Sequence, residues 1–136
     1  MDDHEARRRF AAARVARLAT TRPDGTPHVV PVTFAVDGDT VYTAVDDKPK
    51  RSRRLQRLAN LAVHPRCAVL VDHYDDDWSQ LWWVRADGDA RTEHAPDPSH
   101  LGLALLADRY PSYTAAPPAG PLIVISVVRW RGWSAA

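Results

Sequence analysis

Cysteine is nearly missing from this chain of 136 residues, where Cys67 stands alone. No internal disulfide framework is available to it, and a single thiol suits a reducing cytoplasm, the expected location. Lysine is almost as scarce: Lys48 and Lys50 are the two in the chain, and arginine carries the remaining positive charge. No apolar run approaches the roughly 18–20 residues that would span a bilayer, so no transmembrane helix is expected. The opening "MDDHEARRRF" lacks the apolar centre of a secretory signal. Charge of one sign is not in excess either, with a net charge of +1. Internal repeats, low-complexity tails and a Gly-x-Ser-x-Gly nucleophile elbow are all missing. What remains is 45% hydrophobic and 26% charged, the balance of a soluble globular protein. Its length fits a single domain, residues 1–136.

Pattern and punctuation predict an order of elements. Residues 3–17 are rich in Ala and Arg without Gly or Pro, and read as a helix. A short β-prone run "RLATTR" ends at the turn signal "PDGTP". In "HVVPVTFAV", Val30, Val32, Phe34 and Val36 alternate with Val29, Thr33 and Ala35. A "DGD" turn then leads into "TVYTAV", completing a hairpin. Leu55, Leu58, Leu61 and Ala62 form one stripe on a second helix that stops before Pro65. "RCAVLVDHY" and "SQLWWVRADGDARTE" read as strands around a "DDDW" turn, with a bend expected at Gly88. "PDPSHLGLALLADRY" reads as a third helix, "PSYTAAPPAGP" as a loop, and "LIVISVVRWRGW" as the last strand. Six strands joined mostly by hairpins imply antiparallel pairing, hence a small barrel or sandwich of the α+β class, mainly β, and not a doubly wound sheet.

The strongest local anomaly is "DDKPKRSRRLQRL", residues 46–58. It gathers Lys48, Lys50, Arg51, Arg53, Arg54 and Arg57 with no acid among them. Two lysines lie just before a helix start, where unpaired N–H groups and the dipole favour an anion. The pattern fits a compact phosphate site and a solvated basic face equally well. A nucleic-acid module would call for a broadly basic domain or an aromatic platform, and neither is present. The helix's apolar stripe is too modest for membrane binding. No nucleic-acid or membrane partner is therefore expected.

Pro31 interrupts a clean strand; it suits an edge, a bulge, or a backbone approached by a flat ligand. Asp72, His73, Asp75, Asp76 and Asp77 crowd one hairpin, but alternation sends Asp72 and His73 to opposite faces, and no metal is expected. Cys67 runs into "AVLV" and reads as a buried strand residue. Trp82 and Trp83 are adjacent on a strand and must face opposite ways, so one of them meets a cofactor, a second subunit or solvent.

Taken in order, "RLATTRPDGTPHVVPVTFAVDGDTVYTAV" and "KPKRSRRLQRLANLAVHPRCAVLVDHYDDDWSQLWWVRADGDAR" resemble the pyridoxamine 5′-phosphate oxidase-like superfamily of flavin and deazaflavin oxidoreductases. The likeness covers residues 10–92, and the closing "RWRGW" also fits. It is nearest to small actinobacterial-type members described as F420-dependent. The resemblance implies a six-stranded antiparallel split β-barrel, FMN-binding-protein-like, that forms a homodimer with cofactor sites at the interface. It places the cofactor ring along Val30, Pro31, Val32 and Thr33, with Tyr42, Thr43 and Ala44 on the next strand. Lys48, Lys50, Arg51 and Arg54 would hold the cofactor phosphate, and Trp78, Trp83 and Trp133 would come from the partner side. The implied activity is F420-dependent reduction of a small unsaturated substrate. An FMN-binding flavoprotein, or a cofactor-binding protein without turnover, is the alternative. No catalytic residue is assigned; Tyr42, His28 and His73 are candidate proton donors. The chain is short, and no match to the oxidases' substrate-phosphate residues is found, so oxidation of that vitamer is not expected.

Overall fold

The computed structural model describes residues 1–45 and 52–135, with residues 52–55 as helix backbone. Lys48, Lys50 and Arg51 lie outside the described residues, and Arg54 is placed by its helix backbone alone.

Helix α1 (Asp3–Ala12) is followed by strands β1 (Ala16–Thr21), β2 (Pro27–Val32), β3 (Ala35–Asp37) and β4 (Thr40–Ala44). Then come α2 (Ser52–Val63), β5 (Arg66–His73), a 3-10 turn (Trp78–Gln80) and β6 (Trp82–Glu93). Helices α3 (Leu101–Arg109) and α4 (Pro111–Ala115) precede β7 (Leu122–Ser134). The described strands form one antiparallel sheet in the order β2-β1-β5-β6-β7-β4-β3.

That order makes β2 and β3 the two ends of the ladder, yet only Thr33 and Phe34 separate them in sequence. Three residue steps from Val32 to Ala35 reach at most roughly 11 Å. The sheet must therefore curl until its edges meet, and the chain itself bridges the gap. Among the described residues the expected strand count of six is thereby corrected to seven. The predicted strand across "HVVPVTFAV" breaks at Thr33-Phe34 because its first half pairs with β1 and its second with β4.

Inward-facing Leu18, Val32, Phe34, Val41, Val69, Val71, Val84, Ile123 and Ile125 fill the curled sheet. Phe10 of α1 plugs one end, its ring centroid 5.0 Å from Phe34 and 5.1 Å from Trp130. Burying such a ring is worth about 1.5–3 kcal/mol. Helix α1 ends at Ala12 and not near residue 17, because Ala16 and Arg17 are taken into the β1 ladder opposite Val32 and Pro31. Tertiary pairing here overrides a helical propensity worth only tenths of a kcal/mol per residue.

A second core lies outside the curl, where Leu103, Leu106 and Tyr110 pack on Tyr42, Ala44, Leu122 and Val124. Strand β4 and the start of β7 are consequently buried on both faces, which explains the unbroken apolar run "LIVI". Helix α3 comes this close because Gly102 lies over Tyr42; a Cβ there would sit 2.6 Å from the ring. His100 caps α3, its Nδ1 accepting the Gly102 N–H at 2.9 Å. Pro at the first helical position opens α4 inside the expected loop. The expected bend at Gly88 is a bulge: the pairing with β7 slips between Asp87 and Gly88.

Candidate functional site

With α3 covering β4 and the start of β7, the outer face of β1, β5, β6 and the far end of β7 stays bare. Alternation brings Arg17 and Ala19, Ala68, Leu70 and Asp72, and Trp83 and Arg85 to this face, with Val29 of β2 and Trp133 of β7 at its sides. Together with the hairpin residues His73, Tyr74, Leu81 and Trp82 they line a groove of about 560 Å3, walled mostly by carbon. That volume lies among small-molecule sites, which span roughly 300–1,000 Å3. Trp83 stands directly across from Trp133, which is 46% exposed, and Val29 is 60% exposed. So much uncovered apolar surface on one face calls for a ligand or a second protein surface.

The charges in the groove are paired. Arg17 lies 3.6 Å from Asp72, and Arg85 donates to Asp87 at 2.8 Å while its guanidinium sits 5.7 Å from the Trp83 ring centroid. At the groove's end His73 stacks on Trp82 at 6.2 Å, and Arg9 of α1 covers the same indole at 5.4 Å. Sequence reading had not singled out Arg17, Leu70 or Arg85 for this face. Their signal was the period-2 alternation of β1, β5 and β6, whose outward set shares one surface only once the strand order is known.

Of the residues expected beside the cofactor ring, Pro31 lies on this outer face opposite Arg17, on a strand at the ladder's end. Val30 and Val32 point inward to the core, and the Thr33 hydroxyl is 3.1 Å from that of Tyr113. Tyr42 and Ala44 are buried beneath α3, and Thr43 faces the interior with its hydroxyl shielded and unpartnered among the described residues. These three are not brought together with Trp83 and Trp133. Trp78 sits on the 3-10 turn, 69% exposed, its indole N–H 3.4 Å from the Tyr74 hydroxyl. Arg54 belongs to α2, which packs on β1 and β6.

Near the open edge of β2 lies a polar string. Asn60 is fully buried; it donates to the Thr20 hydroxyl at 2.9 Å and accepts from Gln56 at 2.7 Å. His28, opposite Thr20, is held below its ordinary pKa by burial and then by the Arg22 and Arg57 charges.

The reactive groups are quiet. Burial, aided by Asp89, pushes the Cys67 thiol up to about 12, so it offers no thiolate at neutral pH. Burial and then Asp37 raise the Tyr42 phenol above its ordinary value, which makes it a poor acid. Among the described residues no group of three or more His, Cys, Asp or Glu is arranged to hold a metal. The groove can therefore bind and orient a flat apolar molecule.

The sequence profile of the family described as pyridoxamine 5′-phosphate oxidase matches residues 2–134. Among solved structures, the chain is similar to a conserved hypothetical protein from Mycobacterium tuberculosis, with TM-score 0.76 and 23% identity, covering 99% of this chain and 86% of that one. It is similar to a FAD-binding protein from Mesorhizobium loti, with TM-score 0.66, 22% identity, and 97% and 94% coverage. It is also similar to a heme storage protein from Vibrio cholerae, with TM-score 0.70, 14% identity, and 97% and 93% coverage. At these identities the likeness is one of fold. No curated protein matches the chain.

Proposed function

The chain belongs to the pyridoxamine 5′-phosphate oxidase family, and on that premise we propose that it is an F420-dependent oxidoreductase acting on a small unsaturated molecule. The observation that carries this reading is the uncovered groove, with the Trp83–Trp133 pair on one side and the edge strand β2 with Pro31 on the other. A flat tricyclic ring suits such walls, because stacking on indoles and contact with Val29 and Leu70 require no charge. Pro31 lacks an N–H, so a ligand meeting the β2 edge there leaves no donor stranded.

When bound, the deazaflavin supplies the hydride chemistry. The protein's own task is to hold the phosphate and keep water from the ring. Lys48, Lys50 and Arg51, between Val45 just after β4 and Ser52 at the start of α2, are the phosphate ligands in this reading, with Arg54 one turn into the helix. Arg53, Arg54 and Arg57 add the charge that a tail of several carboxylates would meet. A second copy of the chain covers the bare face, completing a homodimer in which Trp78, Trp83 and Trp133 reach the partner's ring site. FMN is the second reading, favoured by the FAD-binding protein among the structural neighbours, because the flavin has the same ring-ribityl-phosphate layout.

Titration of the purified protein with F420 and with FMN, followed by quenching of tryptophan fluorescence, tests this. Micromolar binding of F420, abolished by Lys50→Ala with Arg51→Ala, supports it. Tighter binding of FMN selects the second reading, and binding of neither coenzyme removes both.

A further inference from the structure

The corner where α2 packs on β1, beside β2, contains a group that the reading above leaves unused. His28 lies on the inner face of β2, paired with Thr20. The Thr20 hydroxyl accepts from the buried Asn60, so α2 is keyed to the residue beside His28. Gln56 and Arg57 come one turn before Asn60 on that helix. From the other side Arg22 donates to the carbonyl of Pro27, the residue before His28, at 2.5 Å. Within this frame the His28 Nδ1 is shielded from solvent and has no hydrogen-bond partner among the described residues.

A shielded ring nitrogen without a partner is rare in a native structure and is open to a hydrogen bond from or to a ligand. The charged groups acting on it are Arg22 from the β1–β2 turn and Arg57 from α2, while β1 presents the Thr20 hydroxyl. Both charges are positive, so burial and field together keep the imidazole neutral. An anion placed there would reverse the field, and a protonated ring would donate to it.

We infer that His28 is an inner ligand of the cofactor's anionic end and takes up one proton from solvent as that anion binds. The imidazole nitrogen gains the proton, and the resulting N–H donates to an anion oxygen; no other bond changes. This rests on the reading that a phosphate-bearing cofactor binds at this end of the sheet, and it gives His28 a binding role where a proton-donor role was a candidate.

The test uses the full chain. The His28 ring signal is followed by proton–carbon NMR from about pH 5 to 8.5, with sodium sulfate and with sodium chloride at equal ionic strength. Sulfate does not titrate in this range, so any shift belongs to the protein. Sulfate is expected to raise the His28 midpoint by about one unit, a roughly tenfold preference of the anion for the protonated ring. An unmoved midpoint overturns the proposal. In parallel, coenzyme affinity at about pH 6 and 8 is compared with that of His28→Gln, which keeps a donor but cannot titrate. The wild-type protein is expected to gain about tenfold over the variant on going to the lower pH. Binding with no such gain overturns the His28 role and leaves the oxidoreductase reading standing. A sulfate-linked shift without binding of either coenzyme upholds the anion site and removes the oxidoreductase reading.

Discussion

The hydroxyl of Tyr110 grips both backbone groups of Phe34: it accepts from the Phe34 N–H at 3.1 Å and donates toward the Phe34 carbonyl at 2.9 Å. The Arg14 carbonyl, at 3.1 Å, is a second acceptor within reach. Phe34 is one of the two residues that carry the chain from one end of the ladder to the other, where strand pairing cannot satisfy its backbone. Arg109 reinforces the corner, donating to the carbonyls of Ala11 and Ala13 and lying 4.9 Å from the Phe34 ring centroid.

Tyr110→Phe removes that clasp while keeping the ring, and strands a buried N–H. We expect a loss of about 1–3 kcal/mol, the usual cost of an unsatisfied buried group. Urea unfolding at neutral pH would show a lower midpoint with an unchanged slope. An unaltered midpoint would mean that water replaces the hydroxyl and the clasp carries no stability.

Asn60 and Thr20 should be energetically coupled, since Asn60 is fully buried and bonds to the Thr20 hydroxyl at 2.9 Å. Asn60→Ala is expected to cost about 1–3 kcal/mol. In a double-mutant cycle with Thr20→Val, an interaction energy of about 0.5–1.5 kcal/mol should appear. Additivity of the two losses would place the bond's contribution near zero.

Stability should also depend on pH through His28. Its folded pKa lies below the ordinary value of 6.5, chiefly from burial. Between the folded value and 6.5 the unfolded chain binds a proton that the native one does not, so stability falls as pH drops through 6.5 and levels off below the folded value. Compared with His28→Gln in urea unfolding from about pH 8 to 5, the wild type should lose more stability on acidification. Parallel profiles would contradict the assigned shift.

Trp133→Arg tests the proposed assembly. It sets a charge on the bare face beside Arg85 and Arg131, the cross-strand pair two residues along. Far from the core, it should leave the circular-dichroism spectrum of the folded chain unchanged. Sedimentation equilibrium should nevertheless report a monomer for the variant and a dimer for the parent. A variant of undiminished mass would mean that this face is not the contact.

Period and punctuation determined much of the architecture. Alternation in "RCAVLVDH" and "WWVRADGDARTE" assigned those strands and their faces, the leucine stripe assigned α2, and the turn signals assigned the antiparallel hairpins. These are local properties, set by backbone geometry and turn chemistry within a few residues. The resemblance of ordered motifs pointed to the family that the profile match then established. Which strands become neighbours was not local. The split of "HVVPVTFAV" at Phe34 follows from pairing with two different strands, and the early end of α1 follows from the claim of β1 on Ala16. Tyr42 and Ala44 vanish beneath α3 because Gly102 lets the helix approach, and nothing in "TVYTA" announces that covering. The groove is likewise a product of strand order: Arg17, Leu70, Trp83 and Trp133 are far apart in sequence and meet only because the sheet curls and α3 leaves that face bare.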